Sequence, residues 1–179
     1  MPTVAGITLR EATVGDAGAI AEVHVASWRW AYDGLLPPSV LDALSVEGRA
    51  AAWHTVLADA PGAVTVAVVD DDDNGGAIVG FVSVGPTPDE DDPPPGTGAL
   101  FALYLHPDTV GAGAGKTLLE HGEAQLRDEG FTRATLWVLE TNERARRFYE
   151  RRGWAWDGAR GEHRFDCGNR PIVRYAREL

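Results

Sequence analysis

Hydrophobic residues recur along this chain in two rhythms, and the switches between them mark its elements. Residues 7 to 12, "ITLREA", alternate apolar and polar positions and predict a short first strand. From Thr13 the period lengthens: Ile20, Val23, Ser27 and Trp28 recur at helical spacing, with Thr13 or Asp16 placed to cap the helix. "DGLLPPS" breaks it, and residues 39 to 60 predict helix again, in one or two pieces, until Pro61-Gly62. The β-branched runs "AVTVAVV" and "AIVGFVSVG" predict strands, and "DDDDNGG" between them is a hairpin signal. "PTPDEDDPPPGTG" is a loop with the acids Asp89 to Asp92 at its centre.

"ALFALYL" shows no alternation and predicts a strand buried on both faces. After a glycine-rich turn, Leu118, Leu119, Gly122 and Leu126 mark the inward face of a helix that Gly130 ends. "RATLWVL" is a strand, "NERARRFYERRG" a capped helix ended by Gly153, and "WAWDGA" and "PIVRYAREL" are the last strands. The order β, α, α, β, β, β, α, β, α, β, β predicts a mixed α/β or α+β fold, antiparallel early with a βαβ unit late. No repeat or long linker divides it, so residues 1–179 are expected to form one domain.

Composition narrows the class. At 179 residues, 44% of them apolar, the chain suffices for one well-cored domain. No apolar run approaches the roughly 20 residues that span a bilayer, and "MPTVAGITLREATVGD" lacks the basic and apolar regions of a signal peptide. The single cysteine, Cys167, can form neither an internal disulfide nor by itself a zinc site. A cytoplasmic location and no metal are the expectations. A formal charge of −11 argues against nucleic acid or an anionic membrane as partner and favours a cationic or neutral one. Yet "ERARRFYERR" carries five arginines, which is either a local anion site or a solvated helix face.

The turn "HPDTVGAGAGKTLLEH" carries candidate phosphate chemistry. A nucleoside-triphosphate loop needs glycine five residues before Gly115, and that position is Val110. Nor does an apolar strand ending in aspartate follow it, so a P-loop phosphotransferase is the weaker reading. The alternative is a turn that aims backbone N–H groups and the positive end of a helix dipole at a pyrophosphate. Small residues at 111 to 115 allow close approach, and Lys116, the only lysine, adds charge in the first helical turn.

Two stretches together carry a more specific signal. Leu103-Tyr104-Leu105-His106-Pro107 followed by Val110-Gly111-Ala112-Gly113-Ala114-Gly115, and then "NERARRFYERRGW", resemble the two cofactor motifs of the GNAT superfamily of acyl-CoA-dependent N-acetyltransferases. The second motif is matched throughout from Asn142 to Trp154; the first departs at Val110, where Arg or Gln is usual. The resemblance implies a mixed sheet of six to seven strands, splayed between strands 4 and 5, with about four helices. It implies acetyl-CoA as cosubstrate, with the backbone of Leu103, Tyr104 and Leu105 beside the pantetheine arm and amides from Val110 to Lys116 around the pyrophosphate. Asn142 and Arg147 are implied as further cofactor contacts. For Asn142, however, helix capping is the more direct reading of the residue alone, and the two roles are compatible; a solvated face serves equally for Arg146 and Arg147. Tyr149 is implied as general acid to the departing thiolate; a phenol of pKa near ~10 keeps its proton at neutral pH.

The family's usual acidic base on the fourth strand is missing, because Ala99 stands at that position. Asp33, His24, Glu90 and Asp92 are the candidates, and a base can also be dispensed with. "SWRWAYDGLLP" lies where the family builds its acceptor site, so Trp28, Trp30, Tyr32 and Asp33 are candidate substrate residues, with core packing as the competing role for the aromatics. "GEHRFDCGNRP" is expected to join the last strands and close the other side. The expected reaction is direct attack of a primary amine, of a small molecule or peptide, on the thioester in a ternary complex, by a monomer or homodimer. A non-catalytic acyl-CoA-binding domain on the same fold is the rival from another class.

Overall fold

In the computed structural model, which describes residues 6–69, 76–89, 96–165 and 167–179, seven strands form one sheet. β1 (Ile7–Glu11), β2 (Val64–Val69), β3 (Ala77–Pro86) and β4 (Thr97–Leu105) pair antiparallel in sequence order. β4 then pairs parallel with β5 (Arg133–Leu139), and β7 (Gly168–Glu178) comes between β5 and β6 (Ala155–Phe165). The helices are α1 (Ala17–Ala31), α2 (Pro38–Asp42), α3 (Val46–Asp59), α4 (Ala114–Asp128) and α5 (Glu143–Glu150). The region expected as one or two helical pieces is thus two helices, α2 and α3. Among the described residues no helix is long and apolar enough to cross a membrane.

Both faces of the central strands are covered. Val64, Val66 and Val68 of β2 pack with Ile20, Val23, Trp53 and Leu57 of α1 and α3, while Ala67 turns to the other side and joins Leu118, Leu119 and Leu126 of α4. That is the period-two alternation of a strand between helical layers. Gly122 lets α4 sit close, since a β-carbon there would come within 3.1 Å of Val82 and Val84. A smaller cluster of Leu36, Val40, Leu41 and Leu139 seals α2 against the end of β5.

Two expectations need correction. β6 runs to Phe165, far past "WAWDGA", and the stretch expected as a connection is mostly strand. β6 is an exposed edge strand with an irregularity between Trp156 and Arg160, so burial imposed no apolar alternation to read. β4 is not buried on both faces: Phe101 is 53% exposed and Leu103, Tyr104 and Leu105 are only half-buried. Ser83 pairs with Ala102 and Val84 with Leu100, so Phe101 is an extra residue bulged out of the ladder. The hairpin turn at 70–75 and the acids Glu90 to Asp92 lie outside the described residues.

Candidate active site

The parallel pairing of β4 with β5 covers only Thr97 to Ala99, opposite Arg133 to Thr135. Beyond that point the strands part, and β4 from Leu100 onward keeps only its β3 partner. This is the expected splay. The His106 amide donates to the Val79 carbonyl of β3 at 2.8 Å. Because successive residues alternate sides, the amides and carbonyls of Leu103 and Leu105 face the opened edge. An extended amide-bearing chain can pair there as an added strand.

The parted strands open a cleft of about 390 Å³, lined from β4, β5, α1, α5 and the β6–β7 hairpin. Of the residues singled out in the sequence, Leu103, Tyr104, Leu105, Val110, Gly115, Asn142, Tyr149, Trp28, Trp30 and Tyr32 line it. Gly111, Ala112 and Gly113 are exposed between β4 and α4. Gly111 and Gly113 have φ of 93° and 91°, the left-handed turn that starts α4 and that glycine alone adopts without strain. The first helical turn leaves the Ala114, Gly115 and Lys116 amides without partners inside the helix. The Val110 and Ala112 amides are engaged within the turn itself, donating to Pro107 and Thr109 carbonyls.

Other expectations fare differently. Lys116 pairs with Glu120 at 2.9 Å, and Arg147 with Glu143 at 2.7 Å, both on the solvent side. Arg146 is not on an exposed face: it is half-buried and donates to the Tyr175 hydroxyl and the Glu140 carbonyl. The arginine of α5 that lines the cleft is Arg144, stacked 3.3 Å over the Trp30 ring. Nothing in the local sequence distinguishes it from its neighbours, because its partner sits on another element. Phe148 and Phe165, not singled out in the sequence, line the cleft as well. For Phe148 the signal was present, three residues beyond Ala145 on the same helix face.

Asn142 caps α5, its Oδ1 accepting from the Ala145 amide at 3.1 Å, and it also borders the cleft. Tyr149 is buried, and burial first, then the nearby Tyr104 hydroxyl, push its pKa well above that of a free phenol. Tyr32 and Tyr104 are raised by the same loss of water, and their hydroxyls lie together beside Trp28. Every tyrosine of the cleft therefore keeps its proton at neutral pH.

The candidate bases fit less well. Asp33 is exposed and does not line the cleft. His24 is buried, and Trp53 Nε1 donates to its Nδ1 at 3.0 Å. Burial, then the Arg49 charge, lower its pKa to about 4. A neutral ring whose Nδ1 accepts a hydrogen bond carries its proton on Nε2, so His24 has no open lone pair for an amine proton. Ala99 is buried on β4, as the sequence implied. Asp89 accepts from Trp137 Nε1 at 3.0 Å and pairs with Arg174. Among the described residues no group of three His, Cys, Asp or Glu side chains could hold a metal ion.

The observations fit coenzyme A: an open strand edge, a left-handed glycine turn with helix-start amides, and an apolar cleft between them. The profile of the Acetyltransferase (GNAT) family matches residues 20–154. The chain is 35% identical over 136 residues to YuaI, an uncharacterized N-acetyltransferase of Bacillus subtilis (strain 168), covering 76% of this chain and 73% of that protein. A shorter stretch of 83 residues, 46% of this chain, is 36% identical to a mycothiol acetyltransferase of Propionibacterium freudenreichii subsp. shermanii but spans only 26% of that protein. In fold the chain is similar to PaiA N-acetyltransferase of Thermoplasma acidophilum in complex with coenzyme A, with TM-score 0.70 and 19% identity over 98% of this chain and 100% of that one. It is also similar to Ard1 of Thermoplasma volcanium, with TM-score 0.71 and 15% identity over 98% and 99% of the two chains. The chain belongs to the GNAT family and is an acetyl-CoA-dependent acetyltransferase.

Proposed function

We propose that the protein acetylates a primary amine of a small molecule or peptide by direct attack within a ternary complex. Bound acetyl-CoA supplies the acetyl group as an activated thioester. The β4 edge at Leu103 and Leu105 and the Asn142 carboxamide hold the pantetheine arm. The Gly111 amide and those of Gly113 to Lys116 receive the pyrophosphate, with the α4 dipole behind them. The acceptor amine enters from the side of Trp28, Trp30 and Tyr32. Tyr149 gives its proton to the leaving sulfur; a phenol that burial keeps protonated is a donor at any physiological pH. The described lining of the cleft holds no carboxylate but includes the His163 imidazole, so the amine gives its proton to that ring or to water, or arrives neutral. A cytoplasmic setting belongs to the same reading, supported by the lone cysteine.

The observation that carries the mechanism is Tyr149, buried in the wall of the cleft one helix face from Asn142 and Ala145. Its test is Tyr149→Phe, followed by thiol release from acetyl-CoA. The expected outcome is a fall in kcat of roughly 100-fold to 10,000-fold, the worth of a positioned acid. The KM for acetyl-CoA should stay within a factor of about two, because the ring is retained and an interaction made only in the transition state lowers kcat alone. A wild-type kcat in this variant would remove Tyr149 from the mechanism.

A further inference from the structure

The cleft has two sides of different character, because the parted strands open a passage between the two faces of the sheet. α4 and α5 lie on one face, where Leu118, Tyr149 and Phe148 share a core cluster; α1 and α3 lie on the other. β4 alternates between them: Leu103 and Leu105 pack on the first face and Tyr104 on the second. The groups proposed above to hold acetyl-CoA, from the turn before α4 to Asn142 and Tyr149, belong to the first. The second is left for the acceptor, and rings line it: Trp28, Trp30 and Tyr32 of α1, Tyr104, and His163 and Phe165 of β6.

Most of these rings form one wall. Tyr32 stands edge-on to Trp28 with centroids 5.0 Å apart, and Tyr104 lies 6.4 Å from Trp28. Phe165 lies 6.0 Å from Trp28, and His163 is edge-on to Phe165 at 4.6 Å. Leu139 and Ile172 continue the lining with hydrocarbon. The charge near this wall has one sign. Arg144 is stacked 3.3 Å over the Trp30 ring inside the cleft, and Arg49 stands 5.2 Å from the Trp28 ring. No Asp or Glu is among the described residues of the lining. The Tyr32 and Tyr104 hydroxyls, side by side near Trp28, add polar groups without charge.

A cation entering this side gives up water and finds no carboxylate in return. Aromatic faces can attract a cation, but guanidiniums already sit over Trp30 and Trp28 and would repel a second one. Loss of water and the nearby positive charges both favour the neutral form of an amine, which is the form that attacks a thioester. We infer that the acceptor is a monoamine on an apolar body, an aromatic one by preference, which the wall of Trp28, Tyr32 and Phe165 holds. A second cationic group on the acceptor is selected against. This rests on the acetyltransferase reading of the cleft and narrows its substrate class. Rings already set edge-on to one another offer a further ring the same favourable geometry. The phenol oxygens of Tyr32 and Tyr104 are suited to accept the N–H groups of the amine, which leaves its lone pair for the carbonyl carbon.

The test uses the intact protein, acetyl-CoA and two matched pairs of acceptors. Hexylamine and hexamethylenediamine share a chain and differ by one ammonium group; phenethylamine and cyclohexylethylamine differ in the aromaticity of the ring. The expected kcat/KM for hexylamine is roughly tenfold or more above that of the diamine, because the second charge is desolvated without a partner. Phenethylamine should exceed cyclohexylethylamine by about twofold to tenfold, the worth of edge-on ring contacts. Phe165→Leu should erase most of the ring preference while leaving the KM for acetyl-CoA and the hexylamine-to-diamine ratio unchanged. Phe165→Glu, at the end of an edge strand, should raise use of the diamine relative to hexylamine by about tenfold, since it supplies the missing carboxylate. Calorimetry gives a readout without turnover: with CoA present, N-acetylhexylamine should bind more tightly than the monoacetylated diamine. Equal or better use of the diamine by the unaltered protein, or equal use of the two ring amines, overturns the proposal. So does acetyl-CoA binding with turnover of none of the four amines. Failure to bind acetyl-CoA at all overturns the reading of the cleft, and this proposal with it.

Discussion

Asp16 shows how much one short side chain organises. It accepts from Arg10 at 2.8 Å through each oxygen and from the Thr13 amide at 2.7 Å, fastening β1 to the turn that starts α1. The Arg10 bonds, against the opposing cost of burial and with help from Thr13, lower its pKa from 3.8 to about 2. A carboxylate depressed in the folded state contributes stability that is complete above the unfolded pKa and lost as pH falls through the folded one. The window is therefore pH 4 down to about 2. Asp16→Asn should lower Tm at pH 7 by about 2–4 °C, the equivalent of about 1 kcal/mol in a chain of this size. The gap between variant and parent should close as the pH of the melting experiment is brought toward the lower end of that window. This role was half legible: Thr13 and Asp16 were evident as capping residues, but Arg10 was not, since its contact depends on how β1 leaves the sheet. His24 shows the converse. Its residue type made it a candidate base, and only its Trp53 partner, 29 positions away, reveals that its acceptor nitrogen is occupied.

At the scale of elements, the turn into α4 joins conformation to binding. Gly113 precedes the helix at φ 91°, where a side chain costs about 1–2 kcal/mol. Gly113→Ala should lower Tm by a few degrees and, if the proposed pyrophosphate site is right, also weaken acetyl-CoA binding in calorimetry, because the strain is relieved by moving the amides of that turn. Gly18→Ala is the control. Gly18 lies in α1 with nothing within 4 Å of an added β-carbon, so this change should stabilise by up to about 1 kcal/mol and leave binding unchanged. Both glycines look alike in a sequence scan. Position in the turn separates them, and the run of small residues ahead of a helical period was enough to indicate which one matters. β4 was less legible. Its unbroken apolar run fits a strand covered on both sides or one lining a cleft, and hydropathy does not separate the two.

Across the whole molecule, a buried carboxylate ties the two halves of the sheet together. Glu123 of α4 accepts from Trp154 Nε1 at 2.8 Å and from Arg177 of β7 at 2.9 Å. α4 lies over β2, β3 and β4, whereas Trp154 and β7 lie beyond β5, so this knot joins the two halves at the level where β4 and β5 are still paired: Arg177 is opposite Ala134, and Ala134 is opposite Gly98. Glu123→Ala strands the Trp154 donor and the Arg177 charge, and should cost about 3–5 kcal/mol. Urea unfolding followed by tryptophan fluorescence checks this; Glu120→Ala, on the exposed side of the same helix, should shift the midpoint little.

What could be read directly from residue order was whatever depends on near neighbours: the strands and helices with strong periods, the glycine turn, the Asn142 cap and the face carrying Ala145 and Tyr149. Backbone geometry and i, i+3, i+4 spacing act within a few residues, so they leave their mark in the chain itself. The length of β6, the exposure of Phe101 and the Arg144–Trp30 stack had no such mark. Each depends on where β4 and β5 diverge and on which distant elements close around the gap. The glycine turn and the α5 side of the cleft were therefore written locally, whereas the opposite side exists only once α1 and the β6–β7 hairpin are packed around it.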